Sequence, residues 1–193
     1  MQKHILGFPR IGAGRELKDA LEAYWKGSFS QSGLQTVGRT LRQRHWAIQK
    51  KAGLSFVATG DFSLYDHVLD ITAMLGAVPD RFGLVQETVD TDMYFAMARG
   101  DSSRNIPAME MTKWFNTNYH YIVPEISRSL APRLVCRKIL EETREAVEAG
   151  YAPKPVLVGP ITYLSLSKGV DGFDSWEKYE EIVAVYAEVV SEL

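Results

Sequence analysis

Residues 110–125, EMTKWFNTNYHYIVPE, carry a mixture of side chains that fits neither a plain core strand nor a plain surface helix. Four aromatic residues fall within eight positions, accompanied by one lysine, two asparagines and a histidine. A buried strand disfavours the lysine and the asparagines, and a solvated loop disfavours so many rings. The stretch therefore predicts a strand end at which a binding site begins, although an aromatic-rich packed loop would have the same composition.

On either side of this stretch, short apolar runs predict four strands. They cover residues 4–8, 54–59, 108–113 and 154–158. Apolar residues at helical spacing predict the helices between and after them. These cover residues 15–26, 31–52, 63–75, 92–99 and 135–149, and a last helix begins near residue 175. Strands that alternate with helices predict an α/β fold with a parallel sheet.

An irregular segment follows each predicted strand, and the opening stretch contains one of the four. In parallel α/β folds, ligand sites lie at the C-terminal ends of the strands. These segments should therefore converge on one face of the protein. They are residues 9–14, 60–62, 113–124 and 159–166.

Most charged residues of the predicted helices are expected to face water. They include Arg39, Arg42 and Arg44 on the second helix and Glu141, Glu142, Glu145 and Glu148 on the fifth. Asp61 follows a strand, where a helix N-cap explains it better than a catalytic role, and Ser175 is the predicted N-cap of the last helix. His120 is interpreted as a structural histidine and Cys136 as a packed thiol.

The composition narrows the class of protein. Hydrophobic residues make up 46% and charged residues 24% of the 193 residues, which is typical of one globular domain. The net charge of −2 provides no general attraction to nucleic acid or to an acidic membrane. One cysteine permits neither an internal disulfide nor a cysteine-rich metal site, which fits a reducing, cytoplasmic location. The N-terminus does not read as a signal peptide, and no apolar run approaches the ~20 residues of a membrane helix.

Five blocks of the sequence resemble one known family. They are GFPRIGAGRELK (7–18), YDHVLDITAMLGAVPDRFG (65–83), MYFAMARG (93–100), EMTKWFNTNYHYIVPE (110–125) and KPVLVGPITYL (154–164). In this order and spacing they are similar to the N-terminal domain of the cobalamin-independent methionine synthases, which are methyltetrahydropteroyltriglutamate–homocysteine methyltransferases. The resemblance covers the whole chain.

The resemblance implies a fold and a reaction. The family has two facing barrels of TIM-barrel type, each with eight βα units, so residues 1–193 are expected to be the first half of the N-terminal barrel. The family enzyme transfers a methyl group from methyltetrahydrofolate polyglutamate to homocysteine, which a zinc ion in the C-terminal barrel holds as a thiolate. That barrel is absent here. The resemblance therefore implies that this chain binds no cofactor itself, and that homocysteine binds only with the C-terminal domain.

The resemblance also implies a binding site for methyltetrahydrofolate polyglutamate. Its residues are Arg15, Glu16, Leu17, Lys18, Lys113 and Asn118. The physical chemistry agrees, because the glutamate tail is anionic and a helix that starts after a glycine-rich loop presents backbone N–H groups. Lys18 and Lys113 add full charges, and Arg15 adds a forked donor. Asn118 offers both a donor and an acceptor.

Three interpretations stay open from the sequence. The chain is part of the methyltransferase, a stand-alone folate-binding module, or a structural half-barrel that pairs with another chain. No catalytic residue and no metal ligand is assigned to it, so the chain alone is expected to be inactive in methyl transfer. Half a barrel would leave two sheet edges, which predicts self-association through those edges. Neither a nucleic acid nor a membrane is an expected partner.

Overall fold

The computed structural model of the protein describes residues 1–83, 85 and 87–193. The chain divides into two compact units. The first unit comprises Met1–Leu64 and Ile139–Val156, and the second comprises Tyr65–Lys138 and Leu157–Leu193. Each unit therefore combines two parts of the chain that are far apart in the sequence.

Helices dominate the regular structure. They are α1 (Glu16–Trp25), α2 (Gln31–Lys51), α3 (His67–Met74), α4 (Thr91–Arg99), α5 (Lys138–Glu148), α6 (Pro160–Ser165) and α7 (Tyr179–Glu192). The strands are β1 (Val57–Thr59), β2 (Met111–Lys113), β3 (His120–Ile122), β4 (Glu125–Ile126), β5 (Pro153–Pro155) and β6 (Lys168–Gly169). Short 3₁₀ helices cover Asp80–Phe82 and Ser175–Lys178. Each helix predicted from spacing is present, and α6 is an additional helix where a loop was expected.

Helices α1 and α2 pack against each other in the first unit. The buried residues are Leu17, Ala20 and Leu21 of α1 and Leu34, Gly38, Leu41, His45, Trp46 and Gln49 of α2. Ser30 caps α2, because its side chain accepts a hydrogen bond from the Gly33 N–H at 3.1 Å. Ile48, an apolar residue of α2, is not buried, since it is 45% exposed. Trp46 is buried instead, and its indole N–H donates to the carbonyl of Ala58 at 2.8 Å.

Strands β1 and β5 form a parallel pair in the first unit, with Ala58 opposite Lys154. Two of the predicted strands are thus confirmed as parallel neighbours, although each is three residues long. Side chains of α2 cover the other edge of β1. The Gln49 carboxamide accepts from the Ala58 N–H at 2.9 Å, and the Trp46 indole donates to the Ala58 carbonyl at 2.8 Å. Both backbone polar groups of Ala58 are therefore satisfied without a second strand on this edge.

The prediction of a strand at residues 4–8 is wrong. This segment is mostly exposed, and Leu6 is 71% exposed. The neighbouring Lys3 carbonyl accepts from the Ser55 N–H at 2.8 Å, but no ladder follows among the residues that the structure describes. A strand is stabilised by cross-strand pairs and by burial of one face, and this run has neither.

Of the charged side chains that were expected to face water, Glu142 is buried in the first unit, and Arg42 and Glu145 are half-buried beside it. Glu142 is 3% exposed, and a guanidinium nitrogen of Arg42 lies 3.3 Å from its carboxylate. Arg42 also donates to Glu145 Oε2 through Nε at 3.2 Å and through Nη2 at 2.6 Å. Glu142 accepts from the Gly60 N–H at 3.2 Å. The charges are tolerated inside because they compensate one another.

The stretch at residues 110–125 forms a β-hairpin in the second unit. Strands β2 and β3 are antiparallel, with Met111 opposite Ile122 and Lys113 opposite His120. The prediction of a strand here is confirmed for β2, but its expected place in a parallel sheet is wrong. The partner of β2 is the returning chain itself, because a short turn suffices to join antiparallel strands.

Helix α3 begins later than spacing predicts. Asp66 caps it by accepting from the N–H groups of Val68 at 2.9 Å and Leu69 at 3.0 Å. The N-cap role expected for Asp61 is therefore wrong. Asp61 accepts instead from the Phe8 N–H at 2.7 Å, within the first unit.

Helices α6 and α7 pack together in the second unit. Tyr163 of α6 is fully buried, and its hydroxyl lies 3.1 Å from that of Thr72 in α3. The predicted cap at Ser175 is wrong, because Ser175 is buried and Asp174 accepts from the Trp176 N–H at 3.0 Å. The 3₁₀ helix therefore precedes α7 as its entry turn.

The fold class is α/β in the broad sense, with helices interleaved with short strands. Each β-ladder of the described residues has two strands, and none of them closes into a barrel. None of the described helices is long and apolar enough to cross a membrane.

Candidate functional site

The first predicted site segment surrounds the start of α1 in the first unit. Arg15 adopts a left-handed backbone with φ of 63°, and α1 begins at the next residue. The Arg15 N–H donates to the Gly12 carbonyl at 3.1 Å, which closes the loop on itself. A left-handed conformation is uncommon outside glycine and persists where local contacts enforce it. The side chains of Arg15 and Lys18 are exposed.

Glu16 shapes the loop before α1. Its carboxylate accepts from the Gly14 N–H at 2.9 Å and from Arg44 at 2.7 Å. Hydrogen bonds from its own backbone N–H and from Arg44 lower the pKa of Glu16. A Cβ at Gly12, where φ is +86°, would collide with this carboxylate. The glycine-rich loop was expected to offer its backbone N–H groups to a ligand. The N–H of Gly14 bonds to Glu16 instead.

Leu17 and Lys18 have opposite surroundings. Leu17 is fully buried, and its N–H donates to the Ile11 carbonyl at 3.0 Å, so it anchors α1 in the core. The Lys18 ammonium is exposed and lies 3.5 Å from the Glu22 carboxylate. Such a solvated pair along one helix face is weak, so the charge of Lys18 can still attract another anion.

Two of the four predicted strand-end segments meet in the first unit. Asp61 accepts from the Phe8 N–H at 2.7 Å, and Arg10 donates to the Leu64 carbonyl at 3.3 Å. These bonds fasten the segment that leads to α1 beside the segment that follows β1. The two predicted segments, residues 9–14 and 60–62, are thus held close together by bonds at and just beyond their ends.

The second predicted site segment is the hairpin of the second unit. Lys113 is the last residue of β2, and Asn118 lies in the turn before β3. Both side chains are exposed, and neither has a hydrogen bond or an ion pair with another residue that the structure describes. The hairpin also meets another strand-end segment, because Tyr121 donates to the Leu166 carbonyl at 3.4 Å.

The six predicted site residues thus belong to two units. Arg15, Glu16, Leu17 and Lys18 are consecutive in the first unit, and Lys113 and Asn118 share the hairpin of the second. Within each set, exposed polar groups stand beside residues that hold the backbone in place. Each set is chemically suited to bind an anionic or polar ligand.

A buried carboxylate that the sequence interpretation did not single out lies under the hairpin. Asp66 is 1% exposed, and its Oδ2 accepts from the N–H groups of Leu69 and Ile122, both at 3.0 Å. The Tyr119 hydroxyl donates to its Oδ1 at 3.3 Å. Burial raises the pKa of Asp66 to about 6, although the backbone N–H donors act in the opposite direction.

Asp66 had a signal in the sequence. An aspartate directly before the apolar run of a helix is a typical N-cap, and the predicted helix start at residue 63 concealed it. Its bond to Ile122, by contrast, has no local signal, because that residue is far along the chain.

Further polar groups surround Asp66. Asp70 lies one turn later on α3, and its negative charge adds to the rise in the pKa of Asp66. The Tyr94 hydroxyl donates to Asp70 Oδ1 at 2.7 Å, and the Lys138 ammonium lies 3.3 Å from Asp70 Oδ2. The positive charge of Lys138 therefore compensates Asp70 directly.

Metal ligands are the remaining class of functional residue. In residues 1–83, 85 and 87–193, no group of three His, Cys, Asp or Glu side chains is placed to hold a metal ion. Cys136 is half-buried. The described residues therefore do not assemble the donor set that a protein zinc site needs.

The chain is similar to known proteins over a range that includes both candidate site segments, at α1 and at the hairpin. A family model described as the cobalamin-independent synthase, N-terminal domain, matches residues 2–193. The chain is 55% identical to the 5-methyltetrahydropteroyltriglutamate–homocysteine methyltransferase of Syntrophotalea carbinolica, over 99% of this chain and 26% of the relative. Proteins of the same name from Nitrosomonas europaea and Desulforamulus reducens are 49% and 50% identical, over 98% of this chain and 25% and 24% of their own lengths. The chain spans about a quarter of the length of these curated relatives.

Proposed function

Since the chain belongs to the cobalamin-independent synthase family and matches its N-terminal domain, we propose that it supplies the folate-binding side of a methyltransferase. The reaction is the transfer of a methyl group from methyltetrahydrofolate polyglutamate to homocysteine, which forms methionine. The observation that carries this proposal is the pair of exposed, cation-bearing segments at α1 and at the hairpin. The name of a relative that is 55% identical supplies the substrates.

At α1, Arg15 and Lys18 are proposed to bind carboxylates of the polyglutamate tail. Both are exposed cations next to a helix start, where the backbone dipole also favours anions. The planar guanidinium can bind a carboxylate through two parallel hydrogen bonds. Glu16 and Leu17 contribute indirectly, because one shapes the loop and the other anchors the helix.

At the hairpin, Lys113 and Asn118 are proposed to contact the same class of ligand. Lys113 contributes a second point charge, and Asn118 can donate to and accept from the amide or ring edges of a folate. Neither side chain has to leave a partner within the described residues. Binding here therefore requires no internal ion pair to break.

The zinc chemistry of the family is proposed to lie outside this chain. When bound, zinc makes a thiol a nucleophile at neutral pH. The described residues do not assemble a zinc donor set, so the tasks proposed for them are binding and orientation. We expect no methionine from homocysteine and methyltetrahydrofolate triglutamate in a turnover assay of this chain with added zinc.

The βα units are proposed to form about half of a barrel that residues outside this chain complete. The parallel pairing of β1 with β5 supports this, as does the chain's share of about a quarter of its relatives. We also propose that the chain associates with itself through the sheet edges that half a barrel leaves open. A cytoplasmic location is proposed as well. Light scattering that finds a stable monomer would contradict the self-association.

Calorimetric titration with methyltetrahydrofolate that carries one or three glutamates tests the folate-binding role. Lys18→Ala should weaken binding of the triglutamate by about tenfold, because a charged hydrogen bond to the tail is lost. Binding of the monoglutamate should change by less than about twofold. Lys51→Ala, which removes an exposed lysine at the end of α2, is the matched control and should leave both affinities unchanged.

Two results would contradict this function. Equal weakening of both ligands by Lys18→Ala would exclude a role for Lys18 in binding the tail. Failure of the wild-type chain to bind either ligand would overturn the proposal that it forms a folate site.

A further inference from the structure

The turn between β2 and β3 has an unfavourable backbone conformation. Phe115 has φ of 52°, a left-handed value that is rare for a bulky residue, and its side chain is 73% exposed. Its own burial therefore does not enforce this conformation. Such conformations persist only where surrounding contacts determine them. Contacts made by the other residues of the turn must therefore hold Phe115 in this conformation.

Inside the turn, hydrogen bonds and rings define its shape. The Trp114 N–H donates to the Tyr119 carbonyl at 2.7 Å. Thr117 donates to the Trp114 carbonyl through its N–H at 3.1 Å and its hydroxyl at 2.7 Å. The Trp114 ring lies 5.6 Å from the Phe115 ring and 6.2 Å from the Tyr119 ring, between centroids. These contacts fix the form of the turn but not its place in the unit.

Outside the turn, one carboxylate fastens the returning chain at two points. Asp66 accepts from the Tyr119 hydroxyl at 3.3 Å and from the Ile122 N–H at 3.0 Å. The Tyr119 hydroxyl accepts in turn from the His67 N–H at 3.2 Å. Asp66 is itself held at the start of α3 by the Val68 N–H at 2.9 Å. The hairpin is thus tied to the first turn of α3 through the Asp66 carboxylate, with a further contact between Tyr119 and His67.

We propose that Asp66 and Tyr119 are positioning residues that hold the turn, and with it Lys113 and Asn118, in the arrangement that binds the ligand. The ligand is that of the proposed function, a folate polyglutamate, and this part of the inference rests on that function. A carboxylate suits the task because its two oxygens accept several donors at once. Neither residue has to touch the ligand in this role.

Tyr119→Phe in the 193-residue chain tests the link, because it removes the hydroxyl and keeps the ring. Amide hydrogen exchange of Trp114 and Thr117, measured by NMR, should become about tenfold faster, while α7 exchanges as before. Tyr121→Phe is the matched control, since its hydroxyl lies on the same hairpin but bonds to Leu166. Its turn amides should stay within about twofold of the wild type.

Asp66→Asn tests the carboxylate. If Asp66 acts through Tyr119, adding Tyr119→Phe to Asp66→Asn should accelerate turn exchange less than Tyr119→Phe does alone. Equal acceleration in both backgrounds would overturn the coupling. Unchanged turn exchange in Tyr119→Phe, or faster exchange throughout the chain, would overturn the positioning role even where Asp66→Asn fails to fold.

Titration with methyltetrahydrofolate triglutamate separates this inference from the proposed function. Tyr119→Phe should weaken binding by about fivefold and Tyr121→Phe by less than about twofold, because a displaced contact loses affinity without being removed. Faster turn exchange with unchanged affinity would overturn the folate contacts of Lys113 and Asn118, and with them the ligand part of this inference. Unchanged exchange would overturn the positioning role at any affinity.

Discussion

Each unit of the protein buries one carboxylate against backbone N–H groups, but the two charges are compensated differently. In the first unit, Glu142 accepts from the Gly60 N–H and lies 3.3 Å from the Arg42 guanidinium. In the second, Asp66 is held by three backbone N–H groups and the Tyr119 hydroxyl. A guanidinium supplies a full opposite charge, whereas N–H and O–H dipoles supply partial charges.

Of the two buried carboxylates, Asp66 is the one whose surroundings make it sensitive to pH. In the first unit the positive partner is permanent, because arginine does not deprotonate in proteins. The carboxylate of the second unit has a pKa of about 6, close to neutral pH. It also lies under the hairpin that carries Lys113 and Asn118. A carboxylate that can gain a proton near neutral pH therefore supports one of the two proposed ligand-binding segments.

The largest expected effect comes from breaking the ion pair. Arg42→Ala removes the guanidinium that lies 3.3 Å from Glu142 and 2.6 Å from Glu145, and should lower the free energy of unfolding by about 3–5 kcal/mol. Urea denaturation measures the change. Arg39→Ala is the control, because its Nε lies 3.9 Å from the same Glu145 but the side chain is 69% exposed. It should change the free energy of unfolding by less than about 1 kcal/mol, and an equal loss in both variants would contradict the burial argument.

Gly60, whose N–H bonds to Glu142, should be the next most sensitive position. Its φ is +76°, and an added Cβ would collide with the Ile139 side chain and lie 2.7 Å from the Val156 carbonyl. Gly60→Ala should destabilise the chain by about 3 kcal/mol in urea denaturation. Gly53 has a similar φ of +79° with no atom within 4 Å of an added Cβ. Gly53→Ala should cost only about 1 kcal/mol, which isolates the backbone strain from the collision.

Titration of Asp66 should appear in the pH dependence of the free energy of unfolding. Because the folded state holds the Asp66 proton more tightly than the unfolded chain, the unfolding free energy falls as the pH rises from about 4 to about 6. Between pH 4.5 and 7 this loss amounts to about 2 kcal/mol. Asp66→Asn cannot titrate, so its stability should rise by that amount relative to the wild type over this interval in urea denaturation.

Tyr119→Phe is the control for this titration, because it keeps the carboxylate. Its pH dependence should follow that of the wild type more closely than that of Asp66→Asn. A difference between wild type and Asp66→Asn that is the same at both pH values would show that Asp66 does not titrate in this range.

The smallest expected effect concerns Lys138, the cation that contacts Asp70. Lys138→Met removes the ammonium 3.3 Å from Asp70, so the charge of Asp70 raises the pKa of Asp66 further. The shift should be roughly half a pH unit, read from the carboxyl ¹³C resonance of Asp66 during a pH titration. Arg137→Met, which removes an exposed partner of Glu192, should leave that resonance where it is. An unmoved Asp66 pKa in Lys138→Met would mean that Asp70 does not transmit the charge.

The helices could be predicted from the sequence because their signal is local. The spacing of Leu34 and Leu41 in α2 reports the buried face directly. The strands carried less information, since three residues contain little alternation and the partner of β2 depends on where the chain returns. Glu142 stands among other glutamates on α5, so its burial could not be recognised without Arg42, which is remote in sequence.

The resemblance predicted which residues belong to the candidate site, but not which of their side chains are exposed to a ligand. The resemblance names Leu17 together with Lys18, yet the structure buries the first and exposes the second. A sequence motif marks a block that resembles the family without separating the residues that support it from those that face a ligand. That separation depends on which face of α1 packs on α2, which is a property of the folded unit.

The covered edge of β1 bears on how the protein avoids joining its neighbours. An extended segment of another molecule could lengthen a sheet only by hydrogen bonding to an open strand edge. At Ala58 that place is taken by an indole and a carboxamide, so an incoming segment would first have to displace the buried Trp46. Helix α2 thereby protects the most deeply buried strand of the first unit from aggregation. Any self-association of this chain must then use a different edge.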